Sequence, residues 1–167
     1  DAVAAVLVRV VVRADDPGFA TPTKPVGPFY SIEEISSMAT AYGFKFIEDS
    51  GRGYRKVVAS PHPVEVVELE LIRDILATGR NVIAAGGGGI PVVRNDDGSL
   101  SGVEAVIDKD LSSALLAAQV GADKLMILTS VDQAAINFNK PDMRPLGEIS
   151  LAEAKRHYAD GQFPPGS

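Results

Sequence analysis

The stretch Asn81-Val82-Ile83-Ala84-Ala85 runs directly into Gly86-Gly87-Gly88-Gly89, and this junction decides the predicted fold. The first five residues form a compact apolar segment, typical of a strand that is covered on both faces of its sheet. The four glycines lack a Cβ, so their backbone amides can approach an anion closely. Ligands of open α/β sheets bind beyond the carboxyl ends of the strands. The junction therefore predicts a strand that ends at a candidate anion-binding turn, with a flexible or tightly packed turn as the alternative.

Two common phosphate-binding motifs do not fit this glycine run. No Gly-Lys-Ser/Thr follows it, as a Walker A loop requires. Pro91 stands where the helix of a dinucleotide-binding fingerprint would continue. The run is therefore a separate kind of glycine turn.

The segments around the junction alternate between strand and helix patterns. Ser31 with Glu34 is a capping box, and apolar residues at helical spacing indicate the later helices. The predicted elements are a strand over 2–12, a helix from Ser31 to Tyr42, strands over 44–47 and 55–59, a helix over 64–78, the strand over 81–85, a hairpin of 90–94 with 100–106, a helix over 110–120, a buried strand over 124–129, a short hairpin within 131–139 and a last helix from Ser150 to about Gly161. This order indicates parallel strands joined by crossover helices, hence an α/β sandwich.

Residues 16–28 interrupt this pattern with four prolines and two glycines. We predict a long irregular excursion there, and long loops in compact domains are often functional lids. Lys24 lies in this excursion. A lysine on a lid can close over a reacting phosphoryl group, although a loop lysine is usually only solvated.

Three polar segments are further candidates for chemistry. Asp108-Lys109-Asp110 begins a predicted helix, where an aspartate can cap the helix and two carboxylates can orient the lysine between them toward a phosphate. Thr129-Ser130-Val131-Asp132 follows a predicted strand and is either a site or a polar turn. His62 and His157 have no partner in the sequence pattern, so we interpret both as structural.

Composition limits the chemistry further. The 167 residues contain no cysteine, which excludes a disulfide framework, a thiolate nucleophile and an iron–sulfur cluster. A formal net charge of −6 argues against nucleic acid or an acidic membrane as a general partner. Without a secretory signal pattern, we expect a cytoplasmic protein.

Several segments together resemble the carbamate kinases of the amino-acid kinase family. The matching stretches are 22–30 (PTKPVGPFY), 51–58 (GRGYRKVV), 84–92 (AAGGGGIPV), 102–111 (GVEAVIDKDL), 125–129, 161–163 and 165–167. The resemblance implies a three-layer αβα sandwich around a mainly parallel sheet, and a homodimer. It also implies reversible phosphoryl transfer between ATP and carbamate with Mg²⁺, giving ADP and carbamoyl phosphate, in fermentative arginine breakdown.

The resemblance also implies roles for individual residues. Lys24 corresponds to a lysine of the protruding lid, Lys109 to a phosphate-facing lysine and Asp110 to an aspartate that orients such lysines. The implied substrate and phosphate loop is Gly86, Gly87, Gly88 and Gly89. The implied nucleotide-binding residues are Thr129, Asp132, Ala135, Ile136 and Phe138, with the last three around the adenine. No residue is assigned to a metal.

The chain departs from the family pattern at both ends. It lacks an earlier Gly-Gly-Asn loop and a later Met-Gly-Pro-Lys segment, so we expect a partial kinase domain over 1–167. Residues of about 16–30 would form its lid, and 124–167 would begin its nucleotide-binding part. We expect poor nucleotide binding and low turnover from the isolated chain. Another amino-acid kinase, or a non-catalytic dimerisation or binding fragment, is the alternative.

Overall fold

The computed structural model describes residues 2–49 and 51–163, which belong to two compact units, 1–125 and 126–167. The part of the resemblance at 165–167 lies outside the described residues. The first unit contains β1 (Val3–Ala5), β2 (Arg9–Val12), α1 (Pro17–Ala20), β3 (Lys24–Tyr30), α2 (Ile32–Tyr42), β4 (Lys45–Glu48), β5 (Tyr54–Val58), β6 (Pro63–Val66), α3 (Leu69–Ala77), β7 (Asn81–Ile83), β8 (Ile90–Arg94), β9 (Leu100–Gly102) and α4 (Lys109–Val120). The second contains β10 (Ala135–Ile136), β11 (Arg144–Pro145) and α5 (Leu151–Ala159).

Two extended segments lie side by side through the first unit. β1 pairs in parallel with β7, and β2 pairs in parallel with β8. Both segments are interrupted between their two strands, one near Val8 and the other at the four glycines. The Ile90 amide donates to the Val8 carbonyl at 2.8 Å, which restores the pairing after the interruption. β6 and β9 pair antiparallel at the edges, giving the strand order β6-β2-β8-β9.

A separate three-stranded antiparallel sheet has the order β3-β5-β4. Its register sets Lys24 opposite Val58 and Val26 opposite Lys56. α2 connects β3 to β4 and is closed at both ends, by the capping box of Ser31 and Glu34 and by Gly43 in the left-handed conformation. This sheet therefore carries Lys24 on a regular strand.

The core of the first unit lies between the β6-β2-β8-β9 sheet and the helices α3 and α4. Alternate valines of the first extended segment point into it, as the two-residue period of a strand requires. Its fully buried members are Val8, Val10, Val12, Val66, Ile72 and Ile107. Each such side chain contributes about 1.5–3 kcal/mol through burial. The α/β class that the sequence predicts is confirmed.

The predicted element boundaries differ from the structure at the first strand and the excursion. The single strand predicted over 2–12 is two strands in different sheets, because the chain leaves one ladder opposite the glycine turn. The irregular excursion predicted over 16–28 contains α1 and most of β3. Asp16 caps α1 by accepting from the Gly18 amide at 2.7 Å, and β5 supplies the ladder partner that makes β3 a strand.

One predicted helix begins later than expected, and one predicted strand does not form. The helix predicted over 64–78 begins at Leu69, because 63–66 forms β6 and Val66 pairs with Val10 in the core. The buried strand predicted over 124–129 does not form in the described chain. Met126 and Leu128 are 80% and 89% exposed, so this apolar segment has no covering layer in the structure.

Other predicted elements are confirmed. The Asn95–Ser99 turn joins β8 to β9, α4 begins after Asp108, and Ser150 with Glu153 forms the second capping box, at α5. The hairpin predicted within 131–139 does not form inside that segment. Its residues Ala135–Ile136 form β10, which pairs with β11 farther along the chain. Within the described ranges, no helix combines the length and the apolar character needed to cross a bilayer.

Candidate functional site

The glycine turn at 86–89 folds back on the end of its own strand. The Gly86 amide donates to the Ala84 carbonyl at 2.8 Å, and the Gly88 and Gly89 amides donate to the Ala85 carbonyl at 2.8 and 2.6 Å. Gly87 is the member of the four whose amide has no backbone acceptor among the described residues. Three of the four amides are therefore engaged inside the turn, and Gly87 is the backbone donor that is open to an anion.

Backbone geometry explains why this turn needs glycine. Gly88 has a φ of +125° and Gly89 a φ of +84°, conformations that side chains disfavour. A Cβ on Gly88 would lie 2.2 Å from the Ile107 carbonyl oxygen, and one on Gly89 would lie 2.4 Å from a methyl group of Val10. Gly88 and Gly89 are therefore packing glycines. The exposed Gly86 and Gly87 form the outer part of the turn.

The N-terminus of α4 lies against the glycine turn. The fully buried Ser112 donates its hydroxyl to the Gly88 carbonyl at 2.7 Å. Ile107, which the Gly88 backbone touches, immediately precedes the helix cap Asp108. A helix N-terminus carries a partial positive charge and unpaired amides, both of which favour an anion. The turn and the start of α4 therefore form one side of a common site.

Lys24 reaches this site from the β3-β5-β4 sheet. Its ammonium lies 2.8 Å from Oδ2 of Asp108, and each side chain is about one-third exposed. The hydrogen bond from Lys24 lowers the pKa of Asp108 below its ordinary value, and the bond from the Asp110 amide acts in the same direction. The carboxylate of Asp108 is thereby held in its charged form.

Lys109 and Asp110 occupy the first turn of α4, next to the cap. Both are exposed, and neither has an ion pair in the described part of the chain. The aspartate that contacts a candidate lysine is thus Asp108. The predicted contact of Asp110 with the lysines does not form in this conformation, because the Asp110 side chain lies on the exposed side of the helix.

From the sequence, Asp108 is recognisable only as a helix cap or a flank of Lys109, and Ser112 is not recognisable as part of the site. The cap was visible in the sequence, since aspartate is a preferred residue before a helix. The contact with Lys24 spans 84 positions, and no local pattern indicates it. Ser112 has no sequence signal beyond its place on the helix.

The predicted nucleotide residues all lie in the second unit. That unit contains a cavity of about 530 Å³, lined by Ser130, Val131, Asp132, Gln133, Ala135, Phe138, Met143 and Pro145. Asp132, Ala135 and Phe138 are thus part of its lining. Thr129 accepts a hydrogen bond from the Val131 amide at 3.1 Å, and Ile136 pairs with Arg144 between β10 and β11.

Phe138 is held between two residues in the left-handed conformation. Asn137 and Asn139 have φ values of +53° and +60°, which asparagine tolerates better than most residues. The Asn137 amide donates to Oε1 of Gln162 at 2.7 Å, and its side chain donates to Asp142 at 2.8 Å. These contacts fix the backbone so that Phe138 stands half-exposed at the cavity, as a stacking surface for a planar ring.

No group of three or more histidine, aspartate or glutamate side chains in the described ranges could hold a metal ion.

Comparison with known proteins shows extensive similarity. Residues 17–166 match the Amino acid kinase family. The chain is 51% identical over 165 residues to a carbamate kinase of Staphylococcus haemolyticus, covering 99% of this chain and 53% of that protein. It is 52% identical over 159 residues to a carbamate kinase of Clostridium perfringens, covering 95% of this chain and 50% of that protein. The chain thus spans about half the length of the curated relatives it matches.

Solved structures give the same result for the fold. The carbamate kinase of Giardia lamblia bound to AMP-PNP superimposes with a TM-score of 0.85 at 44% identity, covering 98% of this chain and 52% of that one. A protein from Aeropyrum pernix K1 superimposes with a TM-score of 0.91 at 46% identity, covering 100% of this chain and 54% of that one. The family match, the identities and the superpositions agree over almost all of the sequence, and the chain belongs to the amino acid kinase family.

Proposed function

We propose that this chain forms part of an enzyme that transfers a phosphoryl group reversibly between ATP and carbamate, giving ADP and carbamoyl phosphate. The similarity to two carbamate kinases supports the choice of carbamate over the acylated amino acids and nucleoside monophosphates that other amino-acid kinases phosphorylate. The single observation that carries the proposal is the meeting of Lys24, the start of α4 and the glycine turn within the first unit.

The proposed reaction is a direct in-line transfer. A carbamate oxygen attacks the γ-phosphorus of ATP, a new P–O bond forms, and the bond to the β–γ bridging oxygen breaks, so that ADP leaves. In the reverse direction a terminal oxygen of ADP attacks the phosphorus of carbamoyl phosphate, and the bond from phosphorus to the carbamate oxygen breaks, so that carbamate leaves. Such a transfer requires positioning and charge neutralisation more than a protein nucleophile.

Residues of the first unit supply these requirements. Lys24 and Lys109 neutralise charge on the transferring group, and the Gly87 amide and the N-terminus of α4 add dipoles that need no reorganisation. Gly86, Gly88 and Gly89 shape the turn around the phosphoryl group. The family resemblance implies that Asp110 orients the lysines; its exposed side chain forms no ion pair with Lys24 or Lys109 among the described residues, so we propose this role for the substrate-bound enzyme. Residues 16–30, which include α1 and all of β3, act as the lid that brings Lys24 to the site.

We assign nucleotide binding to the second unit, which makes up nearly all of the expected nucleotide-binding part, 124–167. Phe138 and Ala135 give its cavity an apolar lining suited to a base, whereas Asp132 offers polar atoms and Thr129 precedes the lining residue Ser130. Ile136 supports the cavity from β10. The Giardia lamblia relative binds the ATP analogue AMP-PNP, which supports nucleotide binding here.

Mg²⁺ belongs to the proposal as the ion that accompanies ATP or ADP. When bound, it would neutralise phosphate charge and polarise the transferring group. Asp110 is the residue of this chain that would contact it, and the remaining ligands would come from phosphates and water. The roles of Lys24, Lys109 and Gly87 do not depend on how the ion is held.

We also propose that the full-length enzyme is a cytoplasmic homodimer and that it takes part in arginine breakdown. The family resemblance alone supports these three points. Sedimentation of the full-length protein at several concentrations would measure the oligomeric state directly. A single species at the monomer mass would overturn the dimer.

The function is tested with the full-length protein and its Lys109→Ala variant. ATP formed from ADP and carbamoyl phosphate is followed, with acetylglutamate and a nucleoside monophosphate as competing acceptors in the ATP-consuming direction. We expect activity with carbamate alone. We expect Lys109→Ala to lower kcat about 100-fold, because a charge at the transferring group is lost. Its unfolding free energy should change by less than about 0.5 kcal/mol, since the side chain is exposed.

Lys155→Ala is the matched control, because it removes an exposed lysine from α5. It should leave kcat unchanged. Equal losses of turnover and stability in Lys109→Ala would reduce Lys109 to a structural role. If the enzyme preferred one of the competing acceptors, that acceptor would be the substrate in place of carbamate.

A further inference from the structure

The contact between Lys24 and Asp108 connects two elements that are otherwise far apart in the chain. Lys24 begins β3, and Asp108 is the residue before α4. Oδ2 of Asp108 accepts from the Lys24 ammonium at 2.8 Å. Oδ1 of the same carboxylate accepts from the Asp110 amide at 2.9 Å. One side chain therefore binds the β3-β5-β4 sheet with one oxygen and caps the helix with the other.

Backbone pairing brings the two residues together. Lys24 lies opposite Val58 in the β3–β5 ladder, and Ala59 follows Val58 directly. Ala59 pairs in parallel with Ala105, and its carbonyl accepts from the Val106 amide at 2.9 Å. The segment that leads into Asp108 is thus aligned with the end of β5, so the approach of Lys24 is set by the fold.

A second ion pair joins the same two regions farther from the glycine turn. Lys56 of β5 lies 2.6 Å from Glu104 and 3.8 Å from the centre of the Phe44 ring. Glu104 is 72% exposed, whereas the Asp108 side chain is 31% exposed. The two pairs therefore offer a matched comparison between an outer contact and one at the candidate site.

We propose that Asp108 is a positioning residue that holds the ammonium of Lys24 at the start of α4, beside the glycine turn. This inference rests on the proposed function and names a residue that acts on the reaction through Lys24. A lysine side chain is a flexible four-carbon chain that ends in an ammonium group with three N–H donors. Asp108 accepts a hydrogen bond from one N–H of Lys24 and so fixes the direction of its side chain. The other two N–H groups are left for phosphoryl oxygens.

Substitution of Asp108 by asparagine or serine distinguishes the positioning of Lys24 from the capping of α4. Both are good cap residues, so Asp108→Asn and Asp108→Ser should retain α4. Asparagine removes the charge that faces Lys24, and serine is also too short to reach it. In the full-length protein we expect kcat for ATP formation to fall about 10-fold to 100-fold in both variants, because displacing a catalytic group by about 1 Å has effects of this size. The loss in Asp108→Ser should be at least as large as that in Asp108→Asn.

A double-mutant cycle distinguishes positioning from an independent role. Lys24→Met removes the group on which Asp108 acts. The double variant Lys24→Met/Asp108→Asn should therefore be no slower than Lys24→Met alone. A further loss in the double variant, or wild-type kcat in Asp108→Asn and Asp108→Ser, would overturn the proposal. Glu104→Gln, which breaks the outer pair, should keep kcat within about twofold of wild type.

Hydrogen exchange provides a readout that does not depend on activity. Asp108→Asn should raise the exchange of amides in β3 several-fold while the first turn of α4 stays protected. Loss of protection in α4 with β3 unchanged would show a capping role only, and would overturn the positioning role. If the wild-type protein formed no ATP, the proposed function would fail, and equal β3 exchange in wild type and Asp108→Asn would separately overturn the contact.

Discussion

Gly88 has the least space of the four residues in the glycine turn. Its missing Cβ would lie 2.2 Å from the Ile107 carbonyl oxygen, and its φ is +125°. We therefore expect Gly88→Ala to lower the free energy of unfolding by about 2–4 kcal/mol, because it combines backbone strain with a steric clash. Urea unfolding of the full-length protein would measure this loss.

Gly87→Ala is the control for that experiment. A Cβ on Gly87 meets nothing within 4 Å, and its φ lies outside the left-handed region. The expected change is within about 0.5 kcal/mol. Similar destabilisation by the two alanines would show that the turn is not packed against Ile107 in solution.

The carboxylate of Asp108 makes stability depend on pH. Lys24 holds the pKa of Asp108 below its ordinary value of 3.8 in the folded protein, so folding favours the charged form. The stabilisation is complete above the unfolded pKa and is lost as the pH falls through the folded one. The pair is partly exposed, so we expect about 1 kcal/mol or less.

The pH prediction is measured by urea unfolding of wild type and Asp108→Asn from about pH 6 to about pH 3. The difference in unfolding free energy between wild type and Asp108→Asn should be constant near the upper end of this pH range. It should shrink as the pH falls below the ordinary pKa of an aspartate. Asp96→Asn, a change of the same charge in an exposed turn, is the control. A wild-type advantage that grew toward low pH would contradict the sign of the effect.

Single residues also show how far the sequence predicts the site. The glycine turn and the 108–110 segment were recognisable because each has a local pattern, one without side chains and one typical of a helix start. The pairing of Lys24 with Asp108 was not recognisable. It depends on the register of β3 with β5 and on the bridge from Ala59 to Ala105, which form only in the folded chain.

At the scale of elements, α4 is attached to the glycine turn by one buried hydroxyl. Ser112 is fully buried and donates to the Gly88 carbonyl at 2.7 Å. Ser112→Ala leaves that buried oxygen without its donor, so we expect a loss of about 1–3 kcal/mol in unfolding free energy. Amide exchange at 86–89 should also become faster, and mass spectrometry of the exchanged protein would detect it.

Ser113→Ala is the matched control on the same helix. Ser113 is half-buried and lies one position from Ser112, roughly 100° around the helix, so its side chain does not point at the Gly88 carbonyl as that of Ser112 does. We expect a change within about 0.5 kcal/mol and unchanged exchange in the glycine turn. Equal effects of the two substitutions would mean that helix propensity, and not the contact with Gly88, determines the result.

Elements were predictable where their signals are local. The capping boxes at Ser31 and Ser150 both form, because the bonds that define them lie within one helical turn. Residues 64–66 were predicted as the start of a helix, since Val64 and Val67 fit a helical stripe. Val64 and Val66 also fit the two-residue period of a strand, and pairing with β2 decides between the two. The segment 124–129 has a strand composition, but the described chain provides no ladder for it.

For the whole molecule, the fully buried core lies in the first unit. Its members come from the first extended segment, from β6, from α3 and from Ile107 just before α4, and none of the described residues of 126–163 is buried. A core of this kind in about 125 residues is sufficient for independent folding. We therefore predict that the segment 1–125, expressed alone, unfolds cooperatively in urea.

Hydrogen exchange would compare this segment with the complete 167-residue chain. The protection of β2, β8 and α4 should be the same in both, and residues 126–163 should exchange faster than these elements. Loss of protection in the core strands of the shorter segment would show that the second unit is required for the first to fold.

The α/β fold class was predictable because strands and helices alternate along the chain. A misplaced boundary of one element does not change that order. No local pattern indicates the division at Leu125, and the expected boundary at residue 124 came from the family resemblance alone. No proline- or glycine-rich linker marks it, and its position depends on which segments contact one another.

The two oxygens of Asp108 restrict which amino acids related proteins can accept at this position. Asparagine, serine and threonine start a helix well but carry no charge for the lysine. Glutamate carries the charge, but its longer side chain is a poor cap. Only aspartate meets both demands, so natural variation at position 108 should be far narrower than at exposed positions on later turns of α4, such as Ala114 and Ala118.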